Sequence, residues 1–111
     1  MFALESKMPI QKFNSHDITL AMQTVKGWTL ESDEAFVHKQ WQFDSFKTAM
    51  EFIAQVAEIA ERQNHHPEFL SVYRKMRVRL STHDASGLTQ KDFDLAAEID
   101  RLIDNQFSHC I

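Results

Sequence analysis

Three histidines are the residues of this chain best suited to chemistry. His65 and His66 are adjacent and precede Pro67, and His83 follows in a later segment. Histidine is the side chain whose unperturbed pKa lets it exchange protons near neutral pH. Because a short hairpin could bring the three imidazoles together, the pattern favours acid–base chemistry.

Two other interpretations compete for the same histidines. A histidine at the end of a helix can be a surface residue whose cation suits the helix dipole. Three histidines can also bind zinc, but adjacent residues on a helix point about 100° apart, which makes joint ligation awkward. We therefore place acid–base chemistry first and expect no metal site.

Composition limits the classes of protein that this chain can be. Its 111 residues predict one domain spanning positions 1–111, in which residues 1–13 show no period and form an N-terminal arm or tail. The net charge of −4 argues against direct nucleic-acid binding. A single cysteine, Cys110, excludes an intramolecular disulfide and fits a reducing compartment. With Glu5 and Lys7 before any apolar run, and no stretch of transmembrane length, we expect a cytoplasmic protein with no membrane partner.

The first half of the chain predicts one helix and two strands. A helix begins with Ser15 as its N-cap and is ended by Gly27. Residues 28–31 and 35–43 read as strands separated by a tight turn. Lys39 interrupts the otherwise apolar face of the second strand.

The longest predicted element is a helix that Asp44 or Ser45 can cap. It must end near Asn64 or His65, because a residue before proline is disfavoured in the helical region. Apolar residues at helical spacing form one predicted buried stripe: Phe46, Ala49, Met50, Ile53, Val56, Ala57 and Ala60.

The remaining residues predict a hairpin and a last helix. Residues 69–73 and 76–82 form the two strands around Arg74-Lys75, and Thr89 opens a helix in which Asp92 completes a capping box. The order is helix, two strands, helix, two strands, helix. This order predicts an α+β two-layer sandwich, in which helices cover one face of a four-stranded antiparallel sheet.

The sequence also resembles a known family, the pterin-4a-carbinolamine dehydratases, over roughly residues 15–107. The resemblance rests on these residues: Gly27-Trp28, Glu61, His65-His66-Pro67-Glu68, Tyr73, Ser81-Thr82-His83, Gly87-Leu88 and Asp92.

This resemblance implies a hydro-lyase that dehydrates 4a-hydroxytetrahydropterin to quinonoid dihydropterin. The reaction recycles the tetrahydrobiopterin-type cofactor of aromatic amino-acid hydroxylases, so a functional link to such a hydroxylase is expected. The pterin is the substrate, and no metal or organic cofactor is needed. The resemblance further implies a homodimer or homotetramer.

By position, His65, His66 and His83 match the catalytic histidines of the family. The supporting pocket residues are expected to be Trp28, Glu61, Asn64, Phe69, Ser81, Thr82 and Asp92. Two of these depart from the family pattern: Phe69 stands where many members have tryptophan, and Asn64 stands where some have aspartate.

Our mechanistic hypothesis assigns a role to each histidine. His65 and His83 act as acids toward the departing hydroxyl, and His66 binds the pterin or serves as a base. Glu61, four residues before His65 on the same helix face, is expected to hold that imidazole.

A second hypothesis keeps the fold but not the reaction. Animal members of the family double as dimerisation cofactors of a transcription factor, and some bacterial relatives act as assembly factors. This chain could therefore be a non-catalytic scaffold. A scaffold would have no need of three histidines with Glu61, so the sequence favours the enzyme.

Overall fold

The computed structural model describes residues 10–111. Positions 1–9 of the predicted N-terminal arm therefore lie outside the described residues. Residues 10–13 form neither helix nor strand, but they are attached to the domain. The backbone N–H of Phe13 donates to the carbonyl of Leu88 at 2.8 Å, and its ring stacks on Phe93 at 6.0 Å.

Within residues 10–111, three α-helices and one four-stranded antiparallel sheet form a two-layer α+β domain, as the element order predicts. The helices are α1 (Ser15–Met22), α2 (Phe46–Gln63) and α3 (Gln90–Leu102). The strands are β1 (Thr29–Leu30), β2 (Val37–Gln42), β3 (Glu68–Val72) and β4 (Lys75–Leu80), in the spatial order β1-β2-β4-β3. Alternate residues of β4, Met76, Val78 and Leu80, are fully buried on the face that packs on the core.

Helix α1 begins one residue earlier than predicted. Its N-cap is Asn14, whose side chain accepts from the N–H of Asp17 at 2.8 Å, while Asp17 accepts from the N–H of Asn14 at 3.1 Å. This reciprocal capping box satisfies two backbone donors, whereas the hydroxyl of Ser15 donates to Glu34 instead.

Lys39 lies in register with the buried face of β2, but its side chain places the charged ammonium beside polar partners. Its backbone pairs with Val78, in register with the core face. Its Nζ donates to the carbonyl of Lys26 at 2.8 Å and to Asp100 at 3.0 Å, and it lies 5.4 Å from the Trp41 ring. The stem is covered while the ammonium is paired.

Helix α2 is capped by Ser45, whose Oγ accepts from the N–H of Thr48 at 3.1 Å. The predicted apolar stripe is partly wrong, because Phe46 and Ala57 are exposed. The buried residues of the helix are Ala49, Phe52, Val56, Ile59 and Ala60. Phe52 packs against Trp41, Phe43 and Phe107 at centroid distances of 5.0–5.7 Å, which places it at the centre of the aromatic core.

The second hairpin turns one residue earlier than predicted. Val72 pairs with Lys75, so Tyr73 and Arg74 form the loop, and Tyr73 adopts the left-handed conformation (φ 53°). Helix α3 begins at the predicted Thr89 cap. A single π-turn (Ile103–Phe107) and a 3₁₀ turn (Ser108–Cys110), which the sequence did not indicate, continue the chain after it.

The face of the sheet turned away from the helices carries an ion-pair network. Arg79 donates to both carboxylate oxygens of Glu31, at 2.8 and 2.9 Å, and Nδ1 of His38 lies 2.9 Å from the same carboxylate. The hydrogen bonds from Arg79, with those of His38, lower the pKa of Glu31 to about 2. This network ties the loop after β1 to the centre of the sheet.

Among residues 10–111, no helix is both long and apolar enough to cross a membrane.

Candidate active site

The end of α2 separates the two adjacent histidines. Asn64 adopts the left-handed conformation (φ 52°, ψ 45°), and its N–H donates to the carbonyls of Ala60 and Glu61. The N–H of His65 then donates back to Ala60 at 3.0 Å. This C-cap reverses the chain direction within one residue. His65 consequently turns inward and is 7 % exposed, whereas His66 points to solvent.

His65 meets a buried carboxylate. Its Nε2 lies 2.6 Å from Oδ1 of Asp92, a residue of the first turn of α3 with no exposed surface. The second oxygen of Asp92 accepts from the hydroxyl of Thr82 at 2.8 Å and from the N–H of Thr89 at 2.9 Å. A buried carboxylate needs such partners, because an unpaired charge in the interior is very costly.

This arrangement fixes which nitrogen of His65 can react. A carboxylate that only accepts hydrogen bonds requires a proton on Nε2 of the imidazole. The other nitrogen, Nδ1, has no hydrogen-bond partner among the described residues. Nδ1 is therefore the nitrogen of His65 that is free for proton transfer, as a base when the imidazole is neutral and as an acid when it is protonated.

His66 has a different partner. Its Nε2 lies 2.6 Å from a carboxylate oxygen of Glu61, and both side chains are well exposed. The expectation that Glu61 holds His65 is therefore wrong. Because the helix ends at Asn64, the inward turn takes His65 to Asp92 and leaves Glu61 opposite His66.

All three histidines line one cleft of about 310 Å³. His83 reaches it from an exposed 3₁₀ turn (His83–Ala85) that follows β4. The remaining lining residues are Ile10, Asn64, Ser81, Thr82, Asp84 and Lys91. A smaller adjoining cavity of about 120 Å³ also contains His66 and His83, together with Ser81. The structure thus brings together side chains from the end of α2, the end of β4 and the start of α3.

Two expected pocket residues lie elsewhere. Trp28 is buried against Trp41 at a centroid distance of 5.9 Å, and its indole N–H donates to Asp100 at 3.0 Å. Phe69 is 39 % exposed on the edge strand β3. Neither residue is among those lining the histidine cleft.

The structure also adds residues that sequence reasoning did not assign to the site. Lys91 lines the cleft from the first turn of α3, and Thr89 contacts both Asp92 and Thr82. Thr89 was recognisable only as a helix cap, because its contact with Thr82 depends on the fold. A depression of about 450 Å³ on the outer face of the sheet is larger than the cleft, but no histidine lines it.

The histidines are not arranged as a metal centre. Within residues 10–111, no three histidine, cysteine or carboxylate side chains are grouped closely enough to hold a metal ion.

Comparison with known proteins gives one consistent family. The family model described as pterin 4 alpha carbinolamine dehydratase matches residues 11–102. A protein of Sinorhizobium fredii, named for an inferred pterin-4-alpha-carbinolamine dehydratase activity, is 45% identical over 91 residues, which is 82% of this chain and 87% of that protein.

Two solved structures are similar in fold. A structure from Brucella melitensis, described as a transcriptional coactivator/pterin dehydratase, has a TM-score of 0.79 at 28% identity and covers 83% of this chain and 98% of its own. A pterin dehydratase-like protein identified as a RuBisCO assembly factor of the alpha-carboxysome has a TM-score of 0.60 at 18% identity, covering 71% of this chain and 92% of its own. The second similarity concerns the fold alone.

Proposed function

Because this chain belongs to the pterin 4 alpha carbinolamine dehydratase family, we propose that it dehydrates 4a-hydroxytetrahydropterin to quinonoid dihydropterin by histidine acid–base catalysis. The observation that carries the proposal is the buried His65–Asp92 pair in the wall of a cleft that His66 and His83 share. A pair of this kind holds an imidazole in one orientation with one nitrogen free for proton transfer.

The reaction needs two proton transfers. The C4a–O bond breaks with its electrons on oxygen, which takes a proton and leaves as water. The neighbouring ring nitrogen loses its proton, and its electrons form the new C=N bond. Each transfer assisted by a positioned imidazole contributes roughly a hundred- to ten-thousandfold in rate.

Geometry supports separate roles for the histidines. His65 is fixed by Asp92 and His83 lies on the exposed turn after β4, so the two reach the cleft from different elements. They act as acids toward the departing hydroxyl, on opposite faces of the ring. His66, paired with Glu61, binds the pterin or takes the ring-nitrogen proton.

A coupled stopped-flow assay tests the proposal. An aromatic amino-acid hydroxylase generates the 4a-hydroxypterin, and its ultraviolet absorbance decay is followed with and without the purified protein. We expect wild type to accelerate the decay and the His65→Ala/His83→Ala double variant to lose about 100-fold or more of that activity. Treatment of the purified protein alone with a chelator, before it is added to the assay, should leave the rate unchanged.

The matched control is His16→Ala/His109→Ala, which removes two exposed histidines that do not line the cleft. It should retain the wild-type rate. Decay at the uncatalysed rate from folded wild-type protein would contradict the proposal and favour the scaffold function.

The scaffold function has one structural feature in its favour. The edge strand β3 and the loop after it expose Phe69, Leu70, Val72 and Tyr73, and exposed apolar strand edges bind other chains. We assign this edge first to a second copy of the chain, in a homodimer or homotetramer. Light scattering on the purified protein measures the oligomeric state directly.

We propose a physiological setting to go with this reaction. A dehydratase of this kind acts in the cytoplasm, beside the aromatic amino-acid hydroxylase that releases its substrate. The hydroxylase is linked through the pterin, and no nucleic acid or membrane takes part.

A further inference from the structure

Thr89 has an environment that its role as a helix cap does not account for. The residue is 1 % exposed, and its hydroxyl oxygen accepts from the N–H of Lys91 at 3.2 Å, as expected of an N-cap. The same hydroxyl lies 2.7 Å from the hydroxyl of Thr82. It therefore has a proton to donate and one buried acceptor within reach.

The direction of this hydrogen bond follows from counting protons. Each threonine hydroxyl has a single proton to donate. Thr82 donates its proton to Oδ2 of Asp92 at 2.8 Å, so it must accept the proton of Thr89. The bonds run in one direction, from Thr89 through Thr82 to the carboxylate.

The far end of this chain of bonds is His65. Asp92 accepts hydrogen bonds from the hydroxyl of Thr82, from the N–H of Thr89 and from Nε2 of His65. With Oδ2 occupied by two donors, Oδ1 remains for the imidazole. The donors on Asp92 therefore leave Oδ1 to accept from Nε2, so a neutral His65 keeps its proton on Nε2.

We propose that Thr89 is a positioning residue, whose hydroxyl acts through Thr82 to orient Asp92 and so hold His65 with its proton on Nε2. The catalytic consequence rests on the proposed dehydratase function, but the state of the imidazole does not. Thr89 does not line the cleft, so it acts on the reaction through the residues that it contacts and not by touching the substrate.

The test compares Thr89→Val, which removes the hydroxyl at nearly constant shape, with Thr89→Ser, which keeps it. Imidazole ¹H–¹⁵N NMR of wild type should show His65 with its proton on Nε2 and that proton protected from exchange. Thr89→Ser should keep this signal, and Thr89→Val should lose the protection. In the dehydration assay, Thr89→Val should lower kcat about three- to tenfold, the value of one lost hydrogen bond, with KM unchanged within about twofold.

The control Ser45→Ala removes the N-cap of α2, far from Asp92, and so imposes a comparable loss of capping on the fold. It should leave the His65 signal as in wild type. If Thr89→Val does not fold, Thr89→Ala removes the same hydroxyl with a smaller side chain and must give the same loss of protection.

Three results would overturn the proposal: a His65 in wild type that carries no proton on Nε2, an unchanged signal in the folded valine variant, or loss of the signal in Thr89→Ser. Failure of the dehydratase function would appear separately, as an inactive wild type. The NMR comparison would still decide the role of Thr89 in that case.

Discussion

At the scale of single residues, the adjacent histidines have different partners. His65 is held by a carboxylate 27 positions away in sequence, and His66 by one five positions before it. The sequence identified both histidines and Asp92, but it paired His65 with Glu61 because i and i+4 share a helix face. The left-handed Asn64 ends the helix between them, so that rule does not apply.

Asp92 and Glu61 should therefore differ sharply on substitution. Asp92→Asn replaces an oxygen acceptor by an N–H donor inside a fully buried network, so it should lower kcat about 100-fold and destabilise the fold by about 1–3 kcal/mol. Glu61→Gln removes the exposed partner of His66. It should lower the free energy of unfolding by less than about 1 kcal/mol and should lower kcat less than Asp92→Asn does. The dehydration assay measures kcat of the two variants, and urea unfolding measures their stability.

Asp104→Asn provides the control, because Asp104 is exposed after the end of α3 and belongs to no described ion pair. A larger loss of rate from Glu61→Gln than from Asp92→Asn would show that His66, not His65, depends most on its carboxylate.

At the scale of elements, the type and order of the α-helices and strands within residues 10–111 could be predicted from the sequence. Helix α2 shows where prediction stops. Its apolar residues supply two overlapping stripes, one with Met50 and Ile53 and another with Phe52 and Ile59. Helical periodicity is consistent with either stripe, and only the packing of Phe52 on Trp41 and Phe43 makes the second stripe the buried one. The strand order and the contact of Thr89 with Thr82 are likewise set by the fold.

The two glycines give an element-scale prediction. Gly27 has φ +80°, and an added Cβ would lie 3.1 Å from Cε of Lys39. Gly27→Ala should therefore destabilise the protein by about 1–2 kcal/mol. At Gly87 the backbone needs no positive φ, and the nearest atom to a new Cβ is Cε of Lys12, the far end of a flexible side chain.

Gly87→Ala should consequently change stability by less than about 0.5 kcal/mol. Urea unfolding of the two variants in parallel measures the difference. Equal costs at both glycines would mean that backbone conformation does not decide their tolerance.

At the scale of the whole molecule, the two faces of the sheet perform different tasks. One packs on the helices and supports the cleft through β4. The other carries the Glu31–Arg79 ion pair, whose partners come from the loop after β1 and from β4. Sequence patterning predicted the buried face, but it could not predict the partner of Arg79, because the carboxylate of Glu31 lies 48 positions away.

This ion pair predicts how stability depends on pH. Arg79 lowers the pKa of Glu31 from 4.5 to about 2. A carboxylate with a lowered pKa stabilises the fold at pH values above its unfolded pKa, and the contribution is lost as pH falls through the folded value. Glu31→Gln should thus cost on the order of 1–2 kcal/mol at pH 7, after allowance for solvent screening.

The difference from wild type should shrink as pH is lowered from about 4.5 to 2. Urea unfolding across that range measures it, with Glu58→Gln as the control because Glu58 is exposed and forms no described ion pair. A difference that stays constant with pH would rule out titration of Glu31 as the cause.

The left-handed cap at Asn64 also constrains how this sequence can evolve. A histidine repeat looks redundant, as though either copy could replace the other. Inserting or deleting one residue between Glu61 and His65 would shift the point at which the chain leaves the helix, and would exchange the inward and outward positions. Loss of His65 by drift should therefore not be rescued by its neighbour, and relatives that keep the reaction should preserve the spacing of this segment without gaps.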